Sequence, residues 1–200
     1  MKSKPAGTRH PLLFYRRTMD RLWKATLLLG IVLVVAVGFI SLEPANFLGL
    51  DTDAWLMVAA VVAFALCIFA FFARWMAYVQ ARPNSLNIVT PFLRFQISYK
   101  RMRSVRPCLT QQLFPPEKSS WSEHSYLGPF YGKTILVVDL TGFPVNPTLL
   151  KLFLPDVMFT RSTPGLVLMV ADWMQLSTEI DSFRGAWMQA ESLARLKQRR

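Results

Sequence analysis

The sequence predicts a membrane α-helical hairpin joined to an α+β domain. Three observations carry that expectation: two long runs without charge, a switch to period-two alternation after them, and one amphipathic stripe near the C-terminus. From Ala25 to Leu42, and again from Ala54 to Ala73, no residue is charged. At about 1.5 Å per helical residue these runs reach roughly 27 and 30 Å, the thickness of a bilayer's hydrocarbon core. Neither run has the polar face that a surface helix of a soluble protein needs. Two core helices of a soluble protein are the competing reading. A chain of 200 residues is too short to surround both. A cleaved signal peptide is opposed by the long basic segment before the first run and by Ser41-Leu42-Glu43-Pro44-Ala45 after it, a poor small-residue cleavage site.

Net charge is +11, and its distribution says more than its size. Residues 1–24 carry seven Lys/Arg against Asp20 alone; the loop Glu43 to Asp53 carries three acids and no base; residues 74–106 carry seven Lys/Arg and no acid. Basic flanks stay on the cytoplasmic side, so both termini are expected inside and the acidic loop outside. Trp23, Trp55 and Trp75 stand at the span ends, where amphipathic rings favour the interface.

Residues 1–24 read as a basic arm lying along the membrane surface before the first span. In the second span Ala59, Ala63 and Cys67 recur every four residues, a strip of small side chains that permits close helix approach. The expected occupant of that strip is the chain's own first span. Cys67 and Cys108 fall in different compartments of this reading, so no disulfide and no zinc site are expected.

Residues 74–200 form the expected cytoplasmic domain. Leu93, Phe95, Ile97 and Tyr99 alternate with Arg94, Gln96, Ser98 and Lys100, the pattern of a half-buried strand. Leu86 to Thr90 reads as its hairpin partner. Thr134 to Leu140 and Leu166 to Ala171 are apolar, β-branched runs bounded by turn residues, hence strands. Thr163-Pro164-Gly165 has the order of a type II turn. A long Pro-, Ser- and Gly-rich loop runs from Phe114 to Gly132, and Leu149 to Leu154 suits a short helix. Leu176, Ile180, Phe183, Trp187, Ala190 and Ala194 make one apolar stripe on a closing helix over about 173–198. Asp172 with Gln175 suggests a capping box at its start.

This order of antiparallel strands followed by one C-terminal helix resembles the pleckstrin-homology (PH) barrel, and the segment from Asn87 to Val105 resembles the strand pair and following turn of bacterial PH-like domains. Met102 stands where that family usually has Ile. Leu166 to Asp172, running into a helix with Phe183 and Trp187, is similar to the family's last strand and closing helix. Two spans directly before the domain are also an arrangement the family shows. The resemblance covers roughly residues 74–192, and Leu113 to Phe159 departs from it. It implies a PH-like antiparallel barrel in a bacterial inner-membrane protein, acting as an interaction module with no defined reaction.

The residues themselves point to no enzyme. His10 and His124 have no carboxylate or cysteine at metal-ligand spacing, and no nucleophile elbow, phosphate loop or dinucleotide fingerprint occurs. No catalytic residue, metal or cofactor is therefore expected. Arg94, Lys100, Arg101, Arg103 and Arg106 are the candidate site for anionic phospholipid headgroups, where each cation is worth about 1 kcal/mol. The competing reading is a plain topology signal. Tyr126, Phe130 and Tyr131 are a candidate partner-binding lip, or else anchors of the long loop. The domain beyond Arg106 is net acidic before its last six residues, which opposes nucleic-acid binding. The expected function is a membrane-anchored, non-enzymatic adaptor or accessory subunit that contacts other membrane proteins. An anionic-lipid sensor is the alternative, and a small membrane enzyme acting on lipid is a third reading.

Overall fold

The computed structural model describes residues 6–42, 50–118, 126–143, 146–160 and 163–198. Expectations about residues 43–49 of the outside loop and about His124 fall on other residues and lie outside this description. The chain divides into two compact units, residues 14–76 and residues 1–13 with 77–200.

The first unit is a pair of long helices, α1 (Leu13–Leu42) and α2 (Leu50–Met76). The segments Leu13–Phe39 and Ala54–Met76 are long and apolar enough to cross a bilayer, which points to membrane association. Their outward side chains are apolar: Leu28, Phe39, Val61 and Phe72 are all exposed. The two helices meet in one antiparallel register. Gly30 lies against the Phe64 ring, where an added Cβ would come within 3.2 Å. Trp23 meets Phe71 edge-on at 6.1 Å, and Arg74 Nη1 reaches Asp20 Oδ1 at 3.1 Å. The buried strip of α2 is Ala60, Ala63, Cys67 and Ala70. Ala59 is exposed, which corrects the expected Ala59–Ala63–Cys67 strip by one position. Steps of alternating three and four keep a seam facing a neighbouring helix, whereas steps of four drift off it.

The second unit holds seven strands among its described residues, in two antiparallel sheets. One sheet has the order β1-β2-β3-β4, formed by Arg9–Pro11, Tyr78–Ala81, Ser85–Val89 and Arg94–Ser98. The other has the order β5-β6-β7, formed by Met102–Leu109, Thr134–Leu140 and Gly165–Leu168. The short helices α3 (Thr110–Leu113) and α4 (Pro147–Phe153) lie in the connections, and α5 (Trp173–Gln198) closes the chain. The layout is α+β. The described strands do not close into a barrel; an isolated bridge from Leu12 to Val170 links the two sheets.

The β3–β4 hairpin has Leu86 opposite Ile97 and Ile88 opposite Phe95, so the alternation seen in the sequence puts Phe95 and Ile97 inside and Arg94 and Gln96 outside. β6 is buried from Ile135 to Leu140, as the central strand of its sheet. Asn146 caps α4, its side chain accepting the Thr148 N–H at 3.1 Å, with Pro147 in the first turn.

Three expectations change. Residues 9–11 belong to a sheet and not to a separate arm: they pair with β2, Pro11 opposite Tyr78 and Arg9 opposite Gln80. His10 and Leu12 are buried there, and Gln80 Nε2 donates to Gly7 O at 2.8 Å. Gly165 is not the left-handed residue of a type II turn, since Gly132 alone of the described residues has positive φ, at 80°. Gly165 sits in β7, and an added Cβ would meet Val138 O at 2.9 Å and Thr160 Oγ1 at 2.8 Å. Half of the expected capping box forms. Asp172 Oδ1 accepts the Gln175 N–H at 2.9 Å, but the Gln175 side chain turns to Thr8 Oγ1 at 3.2 Å.

Candidate functional site

The basic residues grouped by the sequence are divided by the fold. Arg94 opens β4 opposite Val89, at the end of the four-stranded sheet where Pro11 faces Tyr78. Lys100 and Arg101 occupy a 3₁₀ turn after the opposite end of β4, and Arg103 lies in β5. That end of β5 is also remote from Leu12: Met102 pairs with Leu140, Gly165 pairs with Asp139, and β7 then runs away to Val170, which bridges Leu12. Arg101 ends the 3₁₀ turn, and Arg103 stands in the strand that follows it. Arg101 donates to Phe143 O at 3.0 Å.

Arg106 is committed further. Its Nε lies 3.1 Å from Asp139 Oδ2, which also accepts from Ser104 Oγ at 2.7 Å. Thr163 Oγ1 reaches Asp139 Oδ1 at 3.3 Å. Asp139 is buried, and a buried carboxylate needs such partners. Arg106 thus stabilises the second sheet through a pair that the sequence spacing conceals. Arg184 of α5 donates to the carbonyls of Met102 and Arg103, both at 3.1 Å, and so ties the closing helix to β5.

The aromatic lip separates in the same way. Phe130 is buried in a 3₁₀ turn beside the equally buried Leu127, so it anchors the loop to the domain. Lys133 Nζ lies 5.8 Å from the centre of its ring. Tyr131 is half-buried and Tyr126 is exposed.

Sequence reasoning found no partner for His10, because that partner lies far along the chain. Glu179 of α5 receives the Thr8 N–H at 3.3 Å, the Thr8 hydroxyl, and Gln175 Nε2 at 3.4 Å, all on Oε1. His10 Nε2 stands 3.5 Å from Glu179 Oε2 and 3.0 Å from Thr8 Oγ1. Hydroxyl and carboxylate meet the same ring nitrogen. A nucleophilic relay needs them on opposite nitrogens, so this arrangement holds β1 to α5 and is not set up to move a proton through the ring. Among the described residues no group of three or more His, Cys, Asp or Glu is placed to hold a metal ion.

No family model, curated protein or solved structure matches this chain.

The closing helix supplies the other surface. Leu176 and Ile180 are fully buried, and Phe183 and Trp187 are half-buried. Ala190 and Ala194, the last members of the stripe, are exposed. So are Met188, Leu193 and Leu196, the latter two more than 60% accessible. The stripe docks for three turns and then runs past its own domain.

Proposed function

We propose that this chain is a membrane-anchored, non-enzymatic adaptor or accessory subunit of a membrane protein complex, with residues 77–200 as a cytoplasmic PH-like interaction module of a bacterial inner-membrane protein. The observation that carries this is the end of α5. A helix whose last three turns present Met188, Leu193 and Leu196 to solvent keeps apolar surface that a self-sufficient domain would cover. Two antiparallel sheets followed by one helix support the PH-like part of the reading. The two apolar helices support the anchor, and the basic flanks around an acidic loop support the cytoplasmic orientation. A protein partner that lays a helix along this end would be read through anchors at helical spacing.

The test is a photo-crosslinking amino acid placed at Leu196 in the full-length protein in its own membrane. A discrete adduct is expected from Leu196 and none from the exposed Asp181, and Leu193→Glu should abolish it. Equal, diffuse labelling from both positions would remove the adaptor reading.

A further inference from the structure

Pro11, Tyr78, Val89 and Arg94 face one another across the four strands as one row. Pro11 precedes the first residue of α1 by two positions, and Tyr78 follows the last residue of α2 by two. The row is therefore the end of the sheet where the chain leaves for one long helix and returns from the other. β3 runs antiparallel to β2, so beyond Val89 it continues past that end of the sheet. The turn Thr90 to Leu93 is what projects there.

This turn is suited to a place with little water. Thr90 N–H donates to Leu93 O at 2.8 Å, the Thr90 hydroxyl donates to the same oxygen at 2.9 Å, and it accepts the Leu93 N–H at 3.0 Å. Pro91 has no N–H to satisfy. These bonds and the proline reduce the backbone groups that must be stripped of water, a main cost of entering an interface. Phe92, at the apex, is 55% exposed. Arg94 is exposed beside it, and among the described residues it pairs with no carboxylate. An aromatic ring next to a free cation is the pairing that favours the headgroup layer. The reach is adequate too. Tyr78 follows the charge-free run by five residues, partly helical, so the row lies within roughly 10 Å of chain from the hydrocarbon.

We propose that the β3–β4 turn docks on the bilayer that the chain's own helices cross, with Phe92 seated among the headgroups and Arg94 on their phosphates. The proposal rests on the two-span part of the function above and is independent of any protein partner. It moves the lipid contact away from Lys100, Arg101 and Arg103. Those residues lie at the other end of β4, about 13 Å or more along the sheet.

The experiment uses the full-length chain in nanodiscs of phosphatidylcholine and phosphatidylglycerol, with Cys67→Ala and Cys108→Ser as background. A nitroxide is attached at one new cysteine, Phe92→Cys, Lys100→Cys or Val35→Cys, and its collisions with oxygen and with a neutral nickel chelate are compared. Oxygen, which concentrates in lipid, should dominate at 92, and nickel should dominate at 100. Arg94→Glu should return the label at 92 to water. Nickel dominance at 92, or a label closed to both reagents as under a protein, overturns the docking. An unchanged reading in Arg94→Glu overturns the role given to Arg94. The label at 35, on an outward position of α1, must favour oxygen; if it does not, the two-span reading fails instead.

Discussion

Tyr99 is buried where β4 turns toward β5, and its hydroxyl donates to Arg82 O at 2.6 Å. Burial, with the Glu179 carboxylate nearby, pushes its pKa from the ordinary 10.0 up to about 12. In the unfolded chain the phenol ionises near its ordinary value while the folded chain still holds its proton. Stability is therefore intact below pH 10 and declines from pH 10 to about 12. Denaturant titrations of the full chain in detergent should show that decline, and Tyr99→Phe should flatten it while losing about 1 kcal/mol at neutral pH from the missing hydrogen bond. Gly165→Ala is expected to cost about 1–3 kcal/mol, because its new Cβ would press on the backbone carbonyl of Val138, which has no room to move inside the sheet. A melting curve unchanged by that substitution would show that β7 can shift. Neither residue's role was legible in the sequence. Tyr99 was readable as an inward position by alternation, but its acceptor lies in another turn. Gly165 carried a turn signature, whereas its constraint is a tertiary approach by a neighbouring strand.

At the scale of elements, periodicity was enough wherever one face is buried against its own neighbours. The β3–β4 hairpin, β6 and the first half of α5 stand where alternation and the apolar stripe put them. β1 was invisible for a physical reason: three residues, Arg9-His10-Pro11, have no period, and the strand that pairs with them lies beyond both long helices. The α2 strip was read with a spacing of four, and the seam instead alternates threes and fours, which cost it Ala59 and added Ala60 and Ala70. Along α5 the burial gradient orders the effects of truncation. Ile180→Ala should cost about 2–5 kcal/mol, the range for a fully buried aliphatic chain. Trp187→Ala should cost less, about 1–2 kcal/mol, since the ring is half-buried. Glu179→Ala should cost about 1–3 kcal/mol by leaving the Thr8 N–H and hydroxyl without their acceptor. Hydrogen exchange on the full chain separates these. Ile180→Ala should lower protection across both sheets, whereas Glu179→Ala should lower it first in β1.

For the molecule as a whole, the pairing of β1 with β2 has a topological consequence. β1 precedes α1 and β2 follows α2, and the two strands are hydrogen-bonded neighbours from Arg9 to Pro11. Both ends of the helical pair are thus fastened to one sheet, so any bilayer the helices cross must have those ends on the same side. The orientation proposed above, drawn from the basic composition of residues 1–24 and 74–106 against the acids of the connecting loop, puts the cytoplasm on that side. The candidate site was not legible in the charge pattern. Five cations close in sequence read as one patch, but a strand separates Arg94 from Lys100 and places them at opposite ends of a sheet, and Arg106 is paired with Asp139. With Cys67→Ala and Cys108→Ser as background, a cysteine at Asn46 should react with an impermeant maleimide on intact cells. A cysteine at Met174, exposed on α5, should react only after lysis. The opposite pattern would reverse the orientation and place the domain outside. Equal labelling of both sites on intact cells would mean two populations inserted in opposite senses, because the β1–β2 pair forbids one molecule from having its helix ends on different sides.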